Sequence, residues 1–246
     1  MTEFTRDAFF DGRITIKQEK RGYRFSIDAI LVAHHADPGP GETVLDMGTG
    51  CGIIPIMMAF REPEIKRIYG IEIQRELADI AEWNVAANGM EDKIKIVRQN
   101  FKDFQSKTMP KAADLLVSNP PFRKDMSGRK NPNPQKAIAR HEIEGTLADL
   151  VETARRTLSH GGRLISIYPA WRLTDLLTEM RGADVEPKFL RLIHSSPGSN
   201  PNRVIVSGAK GGKSGLHVHP PFFIYNTDGS YSDEARRMFY APDHFL

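Results

Sequence analysis

The chain has 246 residues, of which 40% are hydrophobic and 26% are charged, and its formal net charge is +3. These values are typical of a soluble globular domain, and no apolar run reaches the roughly 20 residues that a membrane-spanning helix needs. The N-terminus has no apolar secretory segment and the single cysteine, Cys51, cannot form an internal disulfide, so we expect a cytoplasmic protein.

The apolar patterning predicts a short hairpin over residues 9–25 and a helix over 26–36 that begins at Ser26. From residue 43 onward, β-rich apolar runs alternate with helical stretches. We predict strands at 43–47, 67–72, 94–98, 113–118, 163–168, 188–195 and 202–209, and helices at 52–60, 74–88, 146–159 and 170–181.

This alternation indicates an α/β fold in which a mostly parallel, seven-stranded, Rossmann-like sheet is covered on both faces. The last two strands lack an intervening helix, so we expect them to form a C-terminal antiparallel hairpin. We predict one domain over 1–246, in which a hairpin and helix extension (1–40) precedes the core (41–246).

A glycine-rich turn, VLDMGTGCGI, joins the first core strand to the next helix. It places Asp46 at the end of the strand and then Gly48, Gly50 and Gly52. Glycines let the chain turn tightly and approach a ligand closely, and a helix N-terminus offers free N–H groups. The alternative is a tight strand-to-helix connection that binds nothing.

An acid, Glu72, ends the second core strand, where a carboxylate can accept hydrogen bonds from both hydroxyls of a ribose. Enzymes of dinucleotides and of S-adenosylmethionine share this feature. A dinucleotide turn reads G-x-G-x-x-G with its first Gly just after the strand, whereas here an acid precedes G-x-G-x-G. S-adenosylmethionine carries an ammonium group that Asp46 can bind by a charge-assisted hydrogen bond, so the turn favours S-adenosylmethionine.

Two residues after the third core strand, Asn100 and Phe101, can contact the amine and the ring of an adenine. The alternative is that Asn100 is a turn residue and Phe101 a core residue. The neighbouring motifs favour the ligand contact.

The tetrapeptide Asn119-Pro120-Pro121-Phe122 follows the fourth core strand. The Asn119 side chain and the Pro120 carbonyl can accept both N–H groups of one exocyclic amine, which frees the nitrogen lone pair and aims it at a methyl donor. Phe122 supplies a stacking face for a planar substrate. We predict that these four residues are the catalytic site for a planar amine; the alternative is a turn with a buried Phe.

The chain resembles the class I S-adenosylmethionine-dependent methyltransferases in its motifs DMGTGCG, GIEI and NPPF. More narrowly, it is similar to the bacterial tRNA1(Val) adenine-37 N6-methyltransferase family over segments 22–36, 128–142 and 191–225. The resemblance implies the class I methyltransferase fold, S-adenosyl-L-methionine as cofactor, and the N6 amine of an adenine in a tRNA anticodon loop as the methyl acceptor.

The resemblance also implies which residues bind the cofactor. They are Asp46, Gly48 and Gly50 at its methionine end, Glu72 with Ile73 at the ribose, Asn100 with Phe101 and Asn119 around the adenine and the methyl group, and Phe25 and Asp28 in a segment that closes over it. The alternative for that last segment is a hairpin that only covers the sheet edge. The chain departs from its relatives at Asn100, where they often have Asp, and at Phe122, where many have Tyr.

The N-P-P chemistry leaves other substrates open, namely a glutamine side chain of a protein or the N2 amine of a guanine in ribosomal RNA. Basic segments at 123–140 and 209–215 favour RNA, because Lys and Arg contacts to phosphates supply much of the affinity for nucleic acid. Solvated surface loops are the alternative. We expect no membrane and no metal partner. The intact cofactor and N-P-P-F motifs disfavour a non-catalytic subunit. Nothing after the fourth core strand resembles a hydride-transfer site, which disfavours an NAD-dependent oxidoreductase.

Overall fold

The computed structural model describes residues 3–20, 24–104, 109, 111–120 and 145–240. The strands are β1 (Phe4–Phe9), β2 (Ile14–Glu19), β3 (Thr43–Met47), β4 (Arg67–Glu72), β5 (Ile94–Arg98), β6 (Ala113–Ser118), β7 (Leu158–Pro169), β8 (Val185–His194), β9 (Pro201–Lys210), β10 (His217–Val218) and β11 (Phe222–Phe223). The α-helices are α1 (Ile27–Ala36), α2 (Ile53–Arg61), α3 (Arg75–Ala87), α4 (Leu147–Thr157), α5 (Leu173–Gly182) and α6 (Asp233–Arg236).

The main sheet has the strand order β10-β8-β9-β7-β6-β3-β4-β5, and β11 also pairs with β8. Strands β3 to β7 run parallel to one another, whereas β9 is antiparallel to both β7 and β8. This confirms the predicted α/β fold, the seven core strands and the C-terminal antiparallel pair. Strands β10 and β11 are additions that were not predicted, because two residues are too few to show an alternating pattern.

Strands β3 to β6 have the predicted bounds, since each is an apolar run that ends in polar or turn residues. The N-terminal hairpin occurs earlier than the predicted 9–25: its turn contains Phe10, Asp11 and Gly12, all at positive φ, and β1 shows no apolar alternation that would place it. Helix α1 begins where predicted, because the Ser26 hydroxyl accepts a hydrogen bond from the Asp28 N–H. Helix α5 starts later than predicted, after a 3-10 turn over Ala170–Arg172. The division at residue 40 stays a prediction.

Two apolar clusters lie on the two faces of the sheet. Successive residues of β6 belong to different clusters. Leu115 and Val117 lie in the cluster that contains α1, α2 and α3. Leu116 lies in the cluster that contains α4 and α5. Burial on both faces explains why these strands are almost continuously apolar. No helix within the described ranges is long and apolar enough to cross a membrane.

The N-terminal hairpin is attached to the core by polar side chains of α3. Asn84, which is fully buried, accepts a hydrogen bond from the Lys17 N–H at 2.8 Å and donates to the Lys17 carbonyl at 2.9 Å and to the Cys51 carbonyl at 2.8 Å. Asn88, the residue that follows α3, bonds in the same way to the Thr15 N–H and carbonyl. Asn84 therefore links the hairpin to the glycine-rich turn.

We predict that Asn84→Ala lowers the free energy of unfolding by about 1–3 kcal/mol, because it leaves the buried Cys51 carbonyl and the part-buried backbone groups of Lys17 without partners. Urea denaturation measures the loss. Asn88→Ala is the matched control, since Asn88 is half-exposed and water can replace its bonds. Equal losses in the two variants would contradict the role assigned to Asn84.

Candidate active site

Three of the predicted site residues meet at one edge of the sheet. Strand β3 lies between β4 and β6, and Met47 is paired with Ile71 on one side and with Ser118 on the other. Parallel strands end at the same edge, about 4.8 Å from their neighbours. Asp46 and Glu72, at the ends of β3 and β4, and Asn119, directly after β6, are therefore adjacent.

The glycine-rich turn is held against the end of β4 by backbone hydrogen bonds. The Gly48 and Thr49 N–H groups donate to the Ile71 carbonyl at 3.0 and 2.9 Å. Gly48 and Gly50 adopt φ of 76° and 57°, the left-handed region that favours glycine. A Cβ at Gly70 of β4 would lie 2.9 Å from the Thr49 hydroxyl. A glycine inside a strand is a sequence signal of such a close approach, and Gly70 was not among the predicted site residues.

Glu72 accepts two backbone hydrogen bonds that shape the turn. Its Oε2 accepts from the Gly50 N–H at 2.9 Å and its Oε1 from the Gln74 N–H at 2.9 Å. Burial raises the pKa of Glu72, and the N–H groups of Gln74, Gly50 and Ile73 oppose that rise. A carboxylate has about four lone-pair positions and these donors do not fill them all, so Glu72 can both hold the turn and accept from a ligand.

Asp46 has no exposed surface, and neither of its carboxylate oxygens has a hydrogen-bond partner among the described residues. Burial raises its pKa to about 7; the Thr49 hydroxyl opposes the rise and the charge of Glu72 adds to it. A buried polar group without a partner is costly and calls for an explanation. A Cβ at Gly48 would meet nothing within 4 Å. The turn therefore has open space at Gly48, two residues after a buried carboxyl group that lacks a donor.

Asn100 and Phe101 have structural partners. The Asn100 Oδ1 accepts a hydrogen bond from the Lys102 N–H at 3.0 Å and so caps the 3-10 turn over Phe101–Asp103. The ring of Phe101 is half-buried and packs so closely on Gly145 that a Cβ there would lie 1.9 Å from its Cζ. These are the turn and packing roles of the alternative interpretation, and contact with an adenine stays a prediction for both residues.

Phe25 and Asp28 lie where the N-terminal segment enters α1. The Phe25 N–H donates to the Gln18 Oε1 at 3.2 Å, and its ring lies 5.8 Å from that of Phe9. Asp28 forms an ion pair with Arg203, whose Nε donates to it at 3.0 Å. Because Arg203 pairs with Pro169 at the end of β7, Asp28 lies at the same sheet edge as Asn119. Closure of this segment over a cofactor stays a prediction.

The end of β6 is anchored to β3 next to Asp46. The hydroxyl of Ser118, a buried residue that was not among the predicted site residues, donates to the Met47 carbonyl at 3.1 Å. Asn119 and Pro120 follow and are half-buried. The predicted catalytic residues Pro121 and Phe122, and the basic segment 123–140, lie outside the described residues.

The other basic segment, 209–215, lies at the opposite end of the sheet. Ala209 pairs with Arg163 near the start of β7, whereas Asn119 is next to the end of β7. The Lys210 ammonium donates to the Leu158 carbonyl at 2.7 Å. This segment is therefore far from the predicted amine site. In the part of the chain that the structure describes, no group of three or more His, Cys, Asp or Glu residues is placed to hold a metal ion.

Comparison with known proteins identifies similar chains. The family described as methyltransferase small domain matches residues 27–173. A tRNA1(Val) (adenine(37)-N6)-methyltransferase from Porphyromonas gingivalis is 34% identical over 94% of this chain and 93% of its own length, and one from Pedobacter heparinus is 27% identical over 98% and 99%. A crystal structure of a predicted O-methyltransferase from Agrobacterium tumefaciens has a TM-score of 0.69 at 18% identity, over 86% of this chain and 94% of that one. That likeness supports the fold.

We predict that the contribution of Asp46 to stability falls as the pH rises from about 4 to about 7, because its pKa is about 7 in the folded chain and 3.8 when its carboxyl group is unperturbed. Asp46→Asn removes this titration. The difference in the free energy of unfolding, variant minus wild type, should therefore increase by on the order of 2 kcal/mol between pH 5 and pH 7. Urea denaturation across this range measures it, with Glu91→Gln, at an exposed acid, as the control. Parallel pH profiles for wild type and Asp46→Asn would show that Asp46 does not titrate as described.

Proposed function

The chain belongs to the methyltransferase small domain family, and on that premise we propose that it transfers the methyl group of S-adenosyl-L-methionine to the N6 amine of an adenine in tRNA. The observation that carries the proposal is the meeting of Asp46, Glu72 and Asn119 at one sheet edge, where Asp46 is buried without a partner among the described residues. This arrangement supports the assignment of a cofactor site and an amine site side by side.

The residues of the turn fit the cofactor. Asp46 needs a donor, and the ammonium of S-adenosylmethionine is one. We assign Gly48 and Gly50 to its methionine end, and a Cβ at Gly48 would meet nothing within 4 Å, which leaves room for a ligand there. The free lone pairs of Glu72 suit the ribose hydroxyls. We assign Ile73, Asn100 and Phe101 to the adenosine end, and Phe25 and Asp28 to the segment that covers it. When bound, the cofactor supplies a sulfonium methyl group, an electrophile that needs no further activation.

Asn119 and Pro120 make the adenine N6 amine, which receives the methyl group, more nucleophilic. An adenine N6 amine is a poor nucleophile because its lone pair is delocalised into the ring. When the Asn119 side chain and the Pro120 carbonyl each accept one of its N–H groups, the nitrogen is drawn toward a tetrahedral geometry and its lone pair becomes available. The Ser118 bond to Met47 holds these acceptors beside the cofactor turn. We assign Pro121 to fixing the backbone and Phe122 to stacking on the base.

The names of the similar proteins narrow the acceptor to adenine 37 of a valine tRNA, and we propose the same nucleotide for this chain. Their similarity extends over almost the whole length of both chains. An adenine in an anticodon loop is unpaired, so little energy is needed to take it out of the stack. The basic segment 123–140 follows the amine site in the sequence, and we assign to it contacts with phosphates. The protein would then work in the cytoplasm with its tRNA substrate.

We predict that binding of S-adenosylhomocysteine at pH 6 releases a proton, because an ammonium group placed beside Asp46 lowers a pKa that burial has raised to about 7. Calorimetry in two buffers of different ionisation enthalpy counts the protons released. Release should vanish at pH 8.5, where Asp46 is already ionised, and in Asp46→Asn at pH 6. Equal release by wild type and variant would place the ammonium group elsewhere.

We predict that Asn119→Ala lowers the rate of methyl transfer by about 10²–10³-fold, since removal of one preplaced polar group typically has an effect of this size. The affinity for S-adenosylhomocysteine should stay near that of wild type. Labelled cofactor and unmodified tRNA measure the rate, and calorimetry measures the affinity. Asn226→Ala, in an exposed turn, is the matched control and should keep full activity.

The same assay tests the acceptor when unmodified tRNA, ribosomal RNA and a release-factor protein are offered side by side. Nucleoside and peptide analysis of the product should show N6-methyladenine from tRNA. Label in glutamine or in N2-methylguanine would overturn the proposed acceptor and leave the amine chemistry standing. A fully active Asn119→Ala enzyme would overturn the mechanism.

A further inference from the structure

Trp171 is 65% exposed although it carries the largest apolar side chain of any residue type. It lies in the 3-10 turn Ala170–Arg172, directly after β7. An aromatic ring held on a short, well-defined turn is a rigid flat surface, and such rings are typical contact points for planar ligands or partners. Nothing in the proposed mechanism uses it.

The turn places Trp171 at the same end of the sheet as the amine site. Strand β7 is the parallel neighbour of β6, and Ser166 pairs with Ser118. Both strands therefore reach the same edge of the sheet, about 4.8 Å apart. Asn119 follows β6 at this edge, and Trp171 follows the last residue of β7 by two positions. A substrate whose reacting group lies at Asn119 and that extends along this end of the sheet, past the end of β7, would therefore reach the Trp171 ring.

Two guanidinium groups accompany the ring. The Arg172 guanidinium lies 5.9 Å from the centre of the Trp171 ring and 5.2 Å from that of Tyr168, and its Nε donates to Asp175 at 2.9 Å. Arg203 is opposite Pro169, the last residue of β7. Both arginines are held by ion pairs with carboxylates, which fixes their positions while their remaining N–H groups are left for a further acceptor.

A cleft of about 330 Å³ opens next to Arg172, between the start of α4 and α5. Its lining is of mixed polarity and consists of Thr146, Leu147, Ala148, Arg172, Asp175, Thr178 and Glu179. This volume is at the lower end of the range for small-ligand sites and is suited to a group of nucleotide size. Hydroxyl and charged side chains of both signs can pair with the donors and acceptors of a base edge or a sugar.

We propose that Trp171 is the stacking platform for an unpaired nucleotide next to the methylated adenine, with Arg172 as the contact of its phosphate. The proposal rests on the proposed function, because it takes a tRNA loop as the occupant. Base stacking on an aromatic ring accepts any sequence, and Arg beside the ring adds a phosphate contact. Trp171 is thus a positioning residue: by holding the neighbouring nucleotide it aims the adenine amine at Asn119.

The test uses fluorescence as a readout that does not depend on catalysis. The chain has two tryptophans, so Trp83→Phe leaves Trp171 as the single reporter. A stem-loop with the anticodon loop sequence of a valine tRNA should quench this fluorescence on binding, because a base stacks on the ring. The same stem closed into a fully paired duplex should not. Quenching by both RNAs, or by neither, overturns the proposal.

Substitution of the ring measures its contribution. Trp171→Ala should weaken stem-loop binding about tenfold and raise KM more than it lowers kcat, since stacking is present before the reaction. Trp171→Phe should keep most of the affinity. The affinity for S-adenosylhomocysteine and the Tm should stay unchanged, because the ring is exposed. Trp83→Ala, on α3, is the matched control and should bind the stem-loop as wild type does.

The outcomes separate the two proposals. If wild type methylates the adenine and Trp171→Ala matches it in RNA affinity and kcat/KM, the stacking role is wrong and the proposed function stands. If wild type binds the stem-loop but methylates none of its adenines, the proposed function is wrong. If Trp171→Ala changes the sedimentation of the protein and leaves RNA affinity unchanged, the ring belongs to a contact between copies of the chain and the proposal is overturned.

Discussion

The buried carboxylate of Glu72 is the constraint on which the glycine-rich turn, the proposed cofactor site, depends. It accepts hydrogen bonds from the backbone on both sides, from Gly50 in the glycine-rich turn and from Gln74 before α3. These bonds hold the turn against the end of β4, directly before α2 begins. Because the carboxylate is buried, the bonds are strong and their loss is costly. One acid therefore supports the site in addition to the ligand contact assigned to it.

Asp46 shows the opposite balance between stability and function. Its carboxyl group lies in the interior without a partner among the described residues, and burial raises its pKa to about 7. The folded chain would be more stable with an apolar residue there. A site for a cationic ligand gains from such a group, since the ligand supplies the missing partner in a place where water does not compete. Functional sites are where strongly shifted pKa values are expected.

The sheet divides the protein into two edges with different tasks. At one edge lie the carboxyl ends of four adjacent parallel strands. Asp46 and Glu72 are at the ends of β3 and β4, and Asn119 and Trp171 come after β6 and β7. At the other edge, the segment 209–215 and the start of β7 are joined by Lys210. The N-terminal hairpin packs on α3. Asn84 of α3 links the hairpin to the glycine-rich turn, because it bonds to Lys17 in the hairpin and to Cys51 in the turn. The residues assigned to ligand chemistry that the structure describes thus lie at one end of the sheet.

The amino-acid sequence by itself determined the bounds of β3 to β6 and the positions of Asp46, Glu72 and Asn119 at strand ends, because continuous apolar runs and the turn residues after them are local signals. Only the tertiary structure decided that β9 lies between β7 and β8, that 209–215 is remote from Asn119, that Asn100 caps a turn, and that Asp28 pairs with Arg203. Asp28 and Arg203 are separated by 175 positions in the sequence. Contacts between distant segments depend on strand order and side-chain packing, and no local pattern in the sequence records them.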